Sequence, residues 1–323
     1  MGNAQDARVL TGATVLTAER AFAAVVDIRG GAPGTRETDA LDPMSLAGEA
    51  DAIVLSGGSV HGLDAASGVV AALREAGRGF RMAAEAPPAP IVPSAILFDL
   101  TNGGDKAWGG QSPYAALGRA AFAGAGEDFR LGNVGAGLGA RAGDHKGGLG
   151  SASAVTEDGY SIGALAAVNA LGSPLMPGDD VFWAWPFERN GEFGGRRPTG
   201  REHAGDLPPD LKGPVRAGAN TTIAIVALDA DISRVELQRI AVMASDGFAR
   251  SLRPSHTPFD GDLVFAVTTA ARTVPEPRAR HLMRLGTIAA DTLARAIARG
   301  VYEADTLGPM KSYRDLFQGG SNG

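Results

Sequence analysis

The pair Asn220-Thr221, directly before the apolar run at 223–228, has the residue types for self-cleavage followed by nucleophilic catalysis. A threonine hydroxyl is a weak nucleophile until a base takes its proton. If the chain were cut before Thr221, the freed α-amine, with a pKa of about 7.7–8.0, would be that base. The same hydroxyl could first attack the Asn220 carbonyl, because the small residues 217–219 leave room for a bent peptide. The competing interpretation is a threonine pair opening a β-strand, where β-branched residues are favoured.

Two carboxylates, Asp260 and Asp262, flank a glycine before the apolar run that begins at Leu263. Acids in this position could orient the ammonium and hydroxyl of an N-terminal threonine and shift its pKa by about one to three units. The alternative is a plain turn, since Asp-Gly is common in turns. We interpret the nearby His256 as structural, because a nucleophile that carries its own amine needs no imidazole.

Lys146 and Asn169 are candidates for stabilising negative charge on a substrate oxygen. Lys146 lies among glycines at 143–150, and Asn169 ends the apolar run at 162–168. A lysine in a glycine-rich loop or an amide at a strand end can approach an oxyanion. A solvated loop lysine and a turn asparagine are the ordinary alternatives. Lysines are rare among the 30 basic residues, which favours a specific use for those present; they are Lys106, Lys146, Lys212 and Lys311.

The composition excludes several mechanisms and partners. With no cysteine there is no disulfide, cysteine nucleophile or cysteine-ligated metal, and the 5 histidines form no H-E-x-x-H pair. A metal site assembled in space from histidine and aspartate side chains stays open at this point. A net charge of −6 without a long basic run argues against a nucleic-acid partner. With no readable signal peptide and no apolar run of roughly 18 residues, we expect a cytoplasmic protein without a membrane partner.

The elements that must position these residues mix strands and helices without regular alternation. Apolar runs bounded by glycine, proline or aspartate predict strands at 22–28, 52–56, 91–98, 162–168, 222–228 and 263–268. Helical spacing predicts helices at 59–76, at 233–252 behind a Ser233/Glu236 capping box, and at 277–299 before Gly300. The stretch between Pro174 and Pro214 reads as a long loop containing Trp183 and Trp185. This pattern fits a layered α/β sandwich as well as a single wound sheet.

Taken together, the motifs resemble the DmpA-type family of self-processing peptidases. That family includes L-aminopeptidase/D-amidases, β-peptidyl aminopeptidases and the nylon-oligomer endo-hydrolase. The resemblance extends over nearly the whole chain, and its order and spacing are specific. The segments that carry it are Gly12–Val15, Val26–Asp39, Leu55–Ser59, Lys146–Gly150, Asn220–Ile223 and His256–Asp262.

The resemblance implies an N-terminal-nucleophile-like αββα sandwich of the DmpA/ornithine acetyltransferase type. It implies one catalytic domain over residues 1–323, cut between Asn220 and Thr221 into an α chain (1–220) and a β chain (221–323). It also implies a homotetramer of processed αβ units without metal or cofactor. The residue roles it carries over are Thr221 as nucleophile, Lys146 as catalytic lysine, Asn169 as oxyanion donor, and Asp260 and Asp262 as supporting acids.

Two departures leave the substrate open. The Asn-Thr junction is similar to that of the nylon-oligomer hydrolase branch, whereas the stretch Arg29–Asp39 looks like the aminopeptidase branch; Phe98 stands where some relatives carry a tyrosine. We expect a hydrolase of small peptides or linear amide oligomers. The alternatives are an aminopeptidase releasing L-, D- or β-amino acids, an acyl transferase of the ornithine acetyltransferase kind, and a non-catalytic binding protein on the same fold.

Overall fold

The computed structural model describes residues 1–200, 207–212 and 220–318; the small residues 217–219 before the predicted cleavage site lie outside these ranges. The strands are β1 (Gly2–Asp6), β2 (Thr11–Ile28), β3 (Thr35–Arg36), β4 (Glu49–Ser56), β5 (Ser94–Ile96), β6 (Arg141–Ala142), β7 (His145–Lys146), β8 (Gly148–Val155), β9 (Ser161–Asn169), β10 (Thr221–Asp231) and β11 (Leu263–Thr273). The α-helices are α1 (Asp64–Glu75), α2 (Tyr114–Ala123), α3 (Arg234–Ala244), α4 (Asp246–Ala249), α5 (Arg278–Tyr302) and α6 (Tyr313–Phe317).

The large sheet has nine strands, and the longest of them, β2, joins its two halves. Its order is β3-β5-β4-β2-β11-β10-β9-β8, with β1 paired to β2, while β6 and β7 form a separate hairpin. The 18-residue strand β2 pairs with β4 over most of its length and with β11 near its end. Strands β10 and β11 are parallel, and β10 and β9 are antiparallel. β2 therefore connects two groups of strands, one on each side of it.

Three buried clusters show that these two groups form separate layers. Along β10 the side chains alternate, so Ile223 and Ile225 lie in a central core while Ala224 and Val226 face α3 and α5. The central core also holds Ile53 of β4, which comes from the other group of strands. A third cluster packs β2 and β4 against α1 and α2. The order of layers is helix, sheet, sheet, helix, as the αββα prediction requires.

Each predicted strand and helix overlaps an element of the structure, but several differ from it in length. The capping box at the start of α3 is present, with Ser233 Oγ accepting from the Glu236 amide and the Glu236 carboxylate accepting from the Ser233 amide. The strand predicted at 91–98 is reduced to β5, and the helix predicted at 59–76 begins as a 3-10 turn at Ser59–Leu63. Strand β8 and helix α2 were not predicted.

The prediction that Gly300 ends the last helix was wrong, because α5 continues to Tyr302. A Cβ built on Gly150 of β8 would lie 2.2 Å from the Gly300 nitrogen. The glycines therefore permit α5 to lie directly on β8. The close approach of α5 to β8 requires glycine in the strand, and these glycines explain why β8 was not predicted from the sequence.

Within the described ranges, each helix is too short or too polar to cross a bilayer. What matters for function is where strands end. Because β10 is parallel to β11 and antiparallel to β9, the starts of β10 and β11 and the end of β9 meet at one edge of the sheet.

Candidate active site

Five of the residues that the sequence singled out meet at this edge. Thr221 is the first residue of β10 and stands opposite Asn169, the last residue of β9. Asn220 forms an isolated parallel bridge with Asp260, just before β11. Asp260 and its neighbour Asp262 are 1 % exposed, and Thr221 is 2 % exposed. The cluster is therefore enclosed by protein.

The carbonyl of Asn220 is held by two donors. The Thr221 hydroxyl lies 2.5 Å from this oxygen, and the Gly261 amide donates to it from 2.9 Å. The second bond continues the parallel ladder between β10 and β11. A carbonyl that accepts two hydrogen bonds is polarised toward nucleophilic attack, and the nucleophile stands beside it.

Gly261 approaches the hydroxyl so closely that a side chain would collide with it. A Cβ at this position would lie 2.7 Å from Thr221 Oγ1 and 2.8 Å from the Ala32 carbonyl oxygen. The segment at 29–33 also binds the turn that contains Gly261, since the Ala32 amide donates to the Asp260 carbonyl at 2.8 Å. The Arg-Gly-Gly-Ala-Pro stretch is therefore part of the support of this site.

Asp262 fixes the backbone on either side of the site. Its Oδ1 accepts the Thr222 amide hydrogen at 2.8 Å. Its Oδ2 lies 2.9 Å from the His256 amide and 3.1 Å from His256 Nδ1. The prediction that His256 is structural fits this contact, because the imidazole contacts Asp262 Oδ2, whereas the Thr222 amide binds Oδ1.

Asp260 ties the turn to the loop after β9. Its carboxylate accepts the Leu171 amide at 3.2 Å, the Thr257 amide at 3.2 Å and the Thr257 hydroxyl. Burial, and then the nearby charge of Asp262, raise the pKa of Asp260. Asp260 therefore keeps its proton to higher pH than an ordinary aspartate.

Lys146 lies on β7 and is fully buried. Its ammonium donates to the carbonyls of Gly137 (3.1 Å) and Gly147 (2.6 Å), and its described hydrogen bonds reach neither Thr221 nor Asn169. Burial lowers the pKa of Lys146 to about 7, against the attraction of the Asp99 carboxylate. The solvated-loop alternative is wrong, since this lysine sits in the interior just before the start of β8.

Asn169 presents its amide in a fixed orientation. Its Oδ1 accepts the Arg141 amide hydrogen at 3.0 Å and the Lys212 ammonium at 2.8 Å. Its Nδ2 donates to the Phe98 carbonyl at 3.1 Å. The nitrogen is thereby identified as the donor end of this amide, on a residue that stands opposite Thr221 in the strand register.

Two charged groups near the site were not assigned a role from the sequence. Lys212 reaches Asn169, and burial followed by the charge of Arg141 lowers the pKa of Lys212 to about 7 although part of the residue is exposed. Asp99 is buried and accepts from the Thr11 hydroxyl (2.6 Å) and the Gly58 amide (2.8 Å), and burial raises the pKa of Asp99. The rarity of lysine was the available signal for Lys212. For Asp99 the signal was a charged residue directly after an apolar run.

The arrangement combines a hydroxyl beside a polarised peptide carbonyl, buried cations and paired acids. These are the parts that acyl transfer from an amide to a hydroxyl requires. Across the described ranges, histidines and acids nowhere form a group of three that could hold a metal ion.

Comparison with known proteins gives a consistent result. Residues 2–314 match the family described as Peptidase family S58. A protein of Mycobacterium tuberculosis named as an uncharacterized aminopeptidase is 43% identical over 319 residues, covering 95% of this chain and 90% of the relative. The 6-aminohexanoate-oligomer endohydrolase of a Kocuria species is 32% identical over 285 residues, covering 85% of this chain and 74% of the relative.

Solved structures agree on the fold. The β-aminopeptidase of a Burkholderia species superposes with a TM-score of 0.64 at 20% identity, covering 94% of this chain and 89% of the other. The L-aminopeptidase D-Ala-esterase/amidase of Ochrobactrum anthropi, described as a new variant among the Ntn hydrolase fold, gives 0.61 at 17% identity, with 94% and 88% covered. The predicted N-terminal-nucleophile type of fold is confirmed.

Proposed function

This chain belongs to peptidase family S58, and we propose that it is a self-processing amide hydrolase whose nucleophile is Thr221, made N-terminal by cleavage after Asn220. The observation that carries the proposal is the 2.5 Å contact between the Thr221 hydroxyl and the Asn220 carbonyl oxygen, which also accepts the Gly261 amide. The proposed nucleophile, the Thr221 hydroxyl, and a polarising donor, the Gly261 amide, both contact the carbonyl of the peptide bond that we propose is cut.

The first reaction of the chain is on itself. Thr221 Oγ forms a bond to the Asn220 carbonyl carbon, the peptide C–N bond breaks, and the hydroxyl proton passes to the departing Thr221 nitrogen. Water then opens the resulting ester. The products are an α chain of residues 1–220 ending in a carboxylate and a β chain of residues 221–323 that starts with a free hydroxyl and amine.

Substrate hydrolysis repeats this chemistry with the new amine as base. The amine takes the hydroxyl proton as Oγ attacks the substrate carbonyl, and then gives that proton to the leaving amine. Lys146 and Asn169 stabilise the oxyanion, and Asp260 and Asp262 hold the strand ends that carry the nucleophile. Water releases the acyl group.

The substrates we propose are small peptides or linear amide oligomers. Support comes from the Asn-Thr junction and from the relatives named 6-aminohexanoate-oligomer endohydrolase. The second candidate is an aminopeptidase, which the higher identity to the mycobacterial relative favours. Assembly into a homotetramer of processed units stays a prediction, to be tested by light scattering.

The experiment has two parts. The intact mass of freshly purified protein under denaturing conditions should show two chains, the smaller beginning at Thr221. The processed protein is then offered a linear amide oligomer with a free and with an acetylated N-terminus. Turnover of both forms supports endo-hydrolysis, and turnover of the free form alone supports aminopeptidase action. A single stable chain that turns over neither would overturn the proposal and leave a non-catalytic protein on this fold.

A further inference from the structure

Lys212 lies on the short described segment 207–212, upstream of the proposed cleavage site. Its backbone amide donates to the Leu171 carbonyl at 3.1 Å. Its ammonium lies 2.8 Å from Asn169 Oδ1 and 3.5 Å from the Arg141 carbonyl oxygen. Asp210 attaches the same segment through the Ser173 hydroxyl at 2.5 Å. The segment is therefore anchored by two bonds that do not involve the Lys212 ammonium.

The contact with Asn169 decides which way its amide points. With the Arg141 amide and the Lys212 ammonium both donating to this side chain, the group facing them must be the acceptor oxygen. A reversed amide would set its NH₂ against a cation and an N–H, and both of those donors would lose their hydrogen-bond acceptor. The Asn169 nitrogen is thus directed away from Lys212, toward the side where it donates to Phe98.

We propose that Lys212 is a positioning residue for catalysis, which fixes and polarises the Asn169 amide so that its nitrogen serves as the oxyanion donor. A positive donor on Oδ1 draws electron density from the amide and strengthens the hydrogen bond given by Nδ2. This inference rests on the proposed function, because it needs an oxyanion to form beside Asn169. It predicts that Lys212 acts on the transition state through Asn169 and contributes little by itself to substrate binding.

The competing explanation is that Lys212 only supports local packing. A double-mutant cycle separates the two, because residues that act through one another are non-additive. The rate of self-cleavage and the kcat and KM for an amide substrate are measured for wild type, Lys212→Met, Asn169→Ala and the double variant. Lys212→Arg tests rescue by a conserved charge. Lys106→Met is the matched control, since Lys106 is another partly buried lysine bound to a backbone carbonyl, that of Val9.

If Lys212 positions Asn169, Lys212→Met lowers kcat and the self-cleavage rate about tenfold with little change in KM, a part of what removing a whole oxyanion donor costs. In the Asn169→Ala background the same change costs less than about twofold, since the group it acts through is gone. Lys212→Arg recovers most of the loss, and Lys106→Met shows none.

Additive losses in the double variant, or an active wild type that Lys212→Met leaves unchanged, would overturn the positioning role while the proposed function stands. A wild type that is neither cleaved nor active would overturn the proposed function and this role with it.

Discussion

The Gly261 amide nitrogen lies 2.9 Å from the Asn220 carbonyl oxygen, so the turn that carries the paired acids also binds the carbonyl of the peptide bond before Thr221. The bond follows from the parallel register of β10 and β11, in which Ile223 stands beside Leu263. The fold thereby supplies a hydrogen-bond donor at the carbonyl where negative charge would develop during self-cleavage.

The first prediction concerns the nucleophile. Thr221→Ala should leave the chain uncut and lower amide turnover by at least about a thousandfold, because no hydroxyl remains to attack. Thr221→Ser should retain processing, since hydroxyl and amine both remain.

Denaturing mass spectrometry measures the cut, and the matched control is Thr222→Val. The Thr222 hydroxyl is buried without a hydrogen-bond partner among the described residues, and valine keeps the amide that binds Asp262. A Thr221→Ala chain that is cut and active would refute the assignment.

The second prediction concerns Gly261. In Gly261→Ala the new Cβ would lie 2.7 Å from Thr221 Oγ1 and 2.8 Å from a backbone oxygen, so the turn must move and the bond to Asn220 must weaken. We expect self-cleavage about a hundredfold slower, the scale for loss of one oxyanion donor. Gly163→Ala is the control, because that strand glycine has open space around it. Equal cleavage rates in the two variants would argue against a role for the Gly261 amide.

The third prediction concerns the acid pair. The Asp262 charge is the second cause, after burial, of the raised pKa of Asp260. In Asp262→Asn that charge is gone, so Asp260 should stay ionised to lower pH and the acid limb of the pH–rate profile should move to lower pH. The rate at the optimum should also fall, because asparagine offers fewer acceptors to the Thr222 and His256 donors.

The profile is measured by self-cleavage and by hydrolysis, with Asp229→Asn as control at the far end of β10. An acid limb that stays in place would show that Asp260 does not set it.

The fourth prediction concerns stability and pH. Burial lowers the pKa of both Lys146 and Lys212 to about 7 in the folded protein, whereas an unfolded lysine titrates near 10.4. Between these values the unfolded chain binds more protons, so the free energy of unfolding rises with pH. This contribution to stability is lost as pH falls from about 10.4 to about 7 and changes little below that. Lys146→Met should remove one of the two contributions, up to about 1.4 kcal/mol per pH unit.

Urea unfolding at several pH values between about 7 and 10, in the uncut Thr221→Ala background, measures this slope without chain dissociation. Lys311→Met, a change at an exposed lysine, is the control. Identical slopes with and without Lys146 would contradict the prediction.

The capping box of α3 and the apolar strands around Thr221 were readable because their signals are local. Ser233 and Glu236 bond to each other's backbone within one helical turn, and the apolar run of β10 needs no partner to be recognised. Strand β8 was missed because its glycines serve contact with α5, and the reason for them lies in a distant part of the chain.

The sequence by itself indicated the family through its motifs and, through that resemblance, the layered α/β fold, and it singled out the residues that we propose for self-cleavage, since residue types and short spacings carry that information. Tertiary structure alone decided that the Gly261 amide binds the Asn220 carbonyl, that Lys146 is buried rather than solvated, and that Lys212 reaches Asn169. These relationships depend on strand register and on burial. Both are set by packing among segments far apart in the chain, which no local pattern specifies.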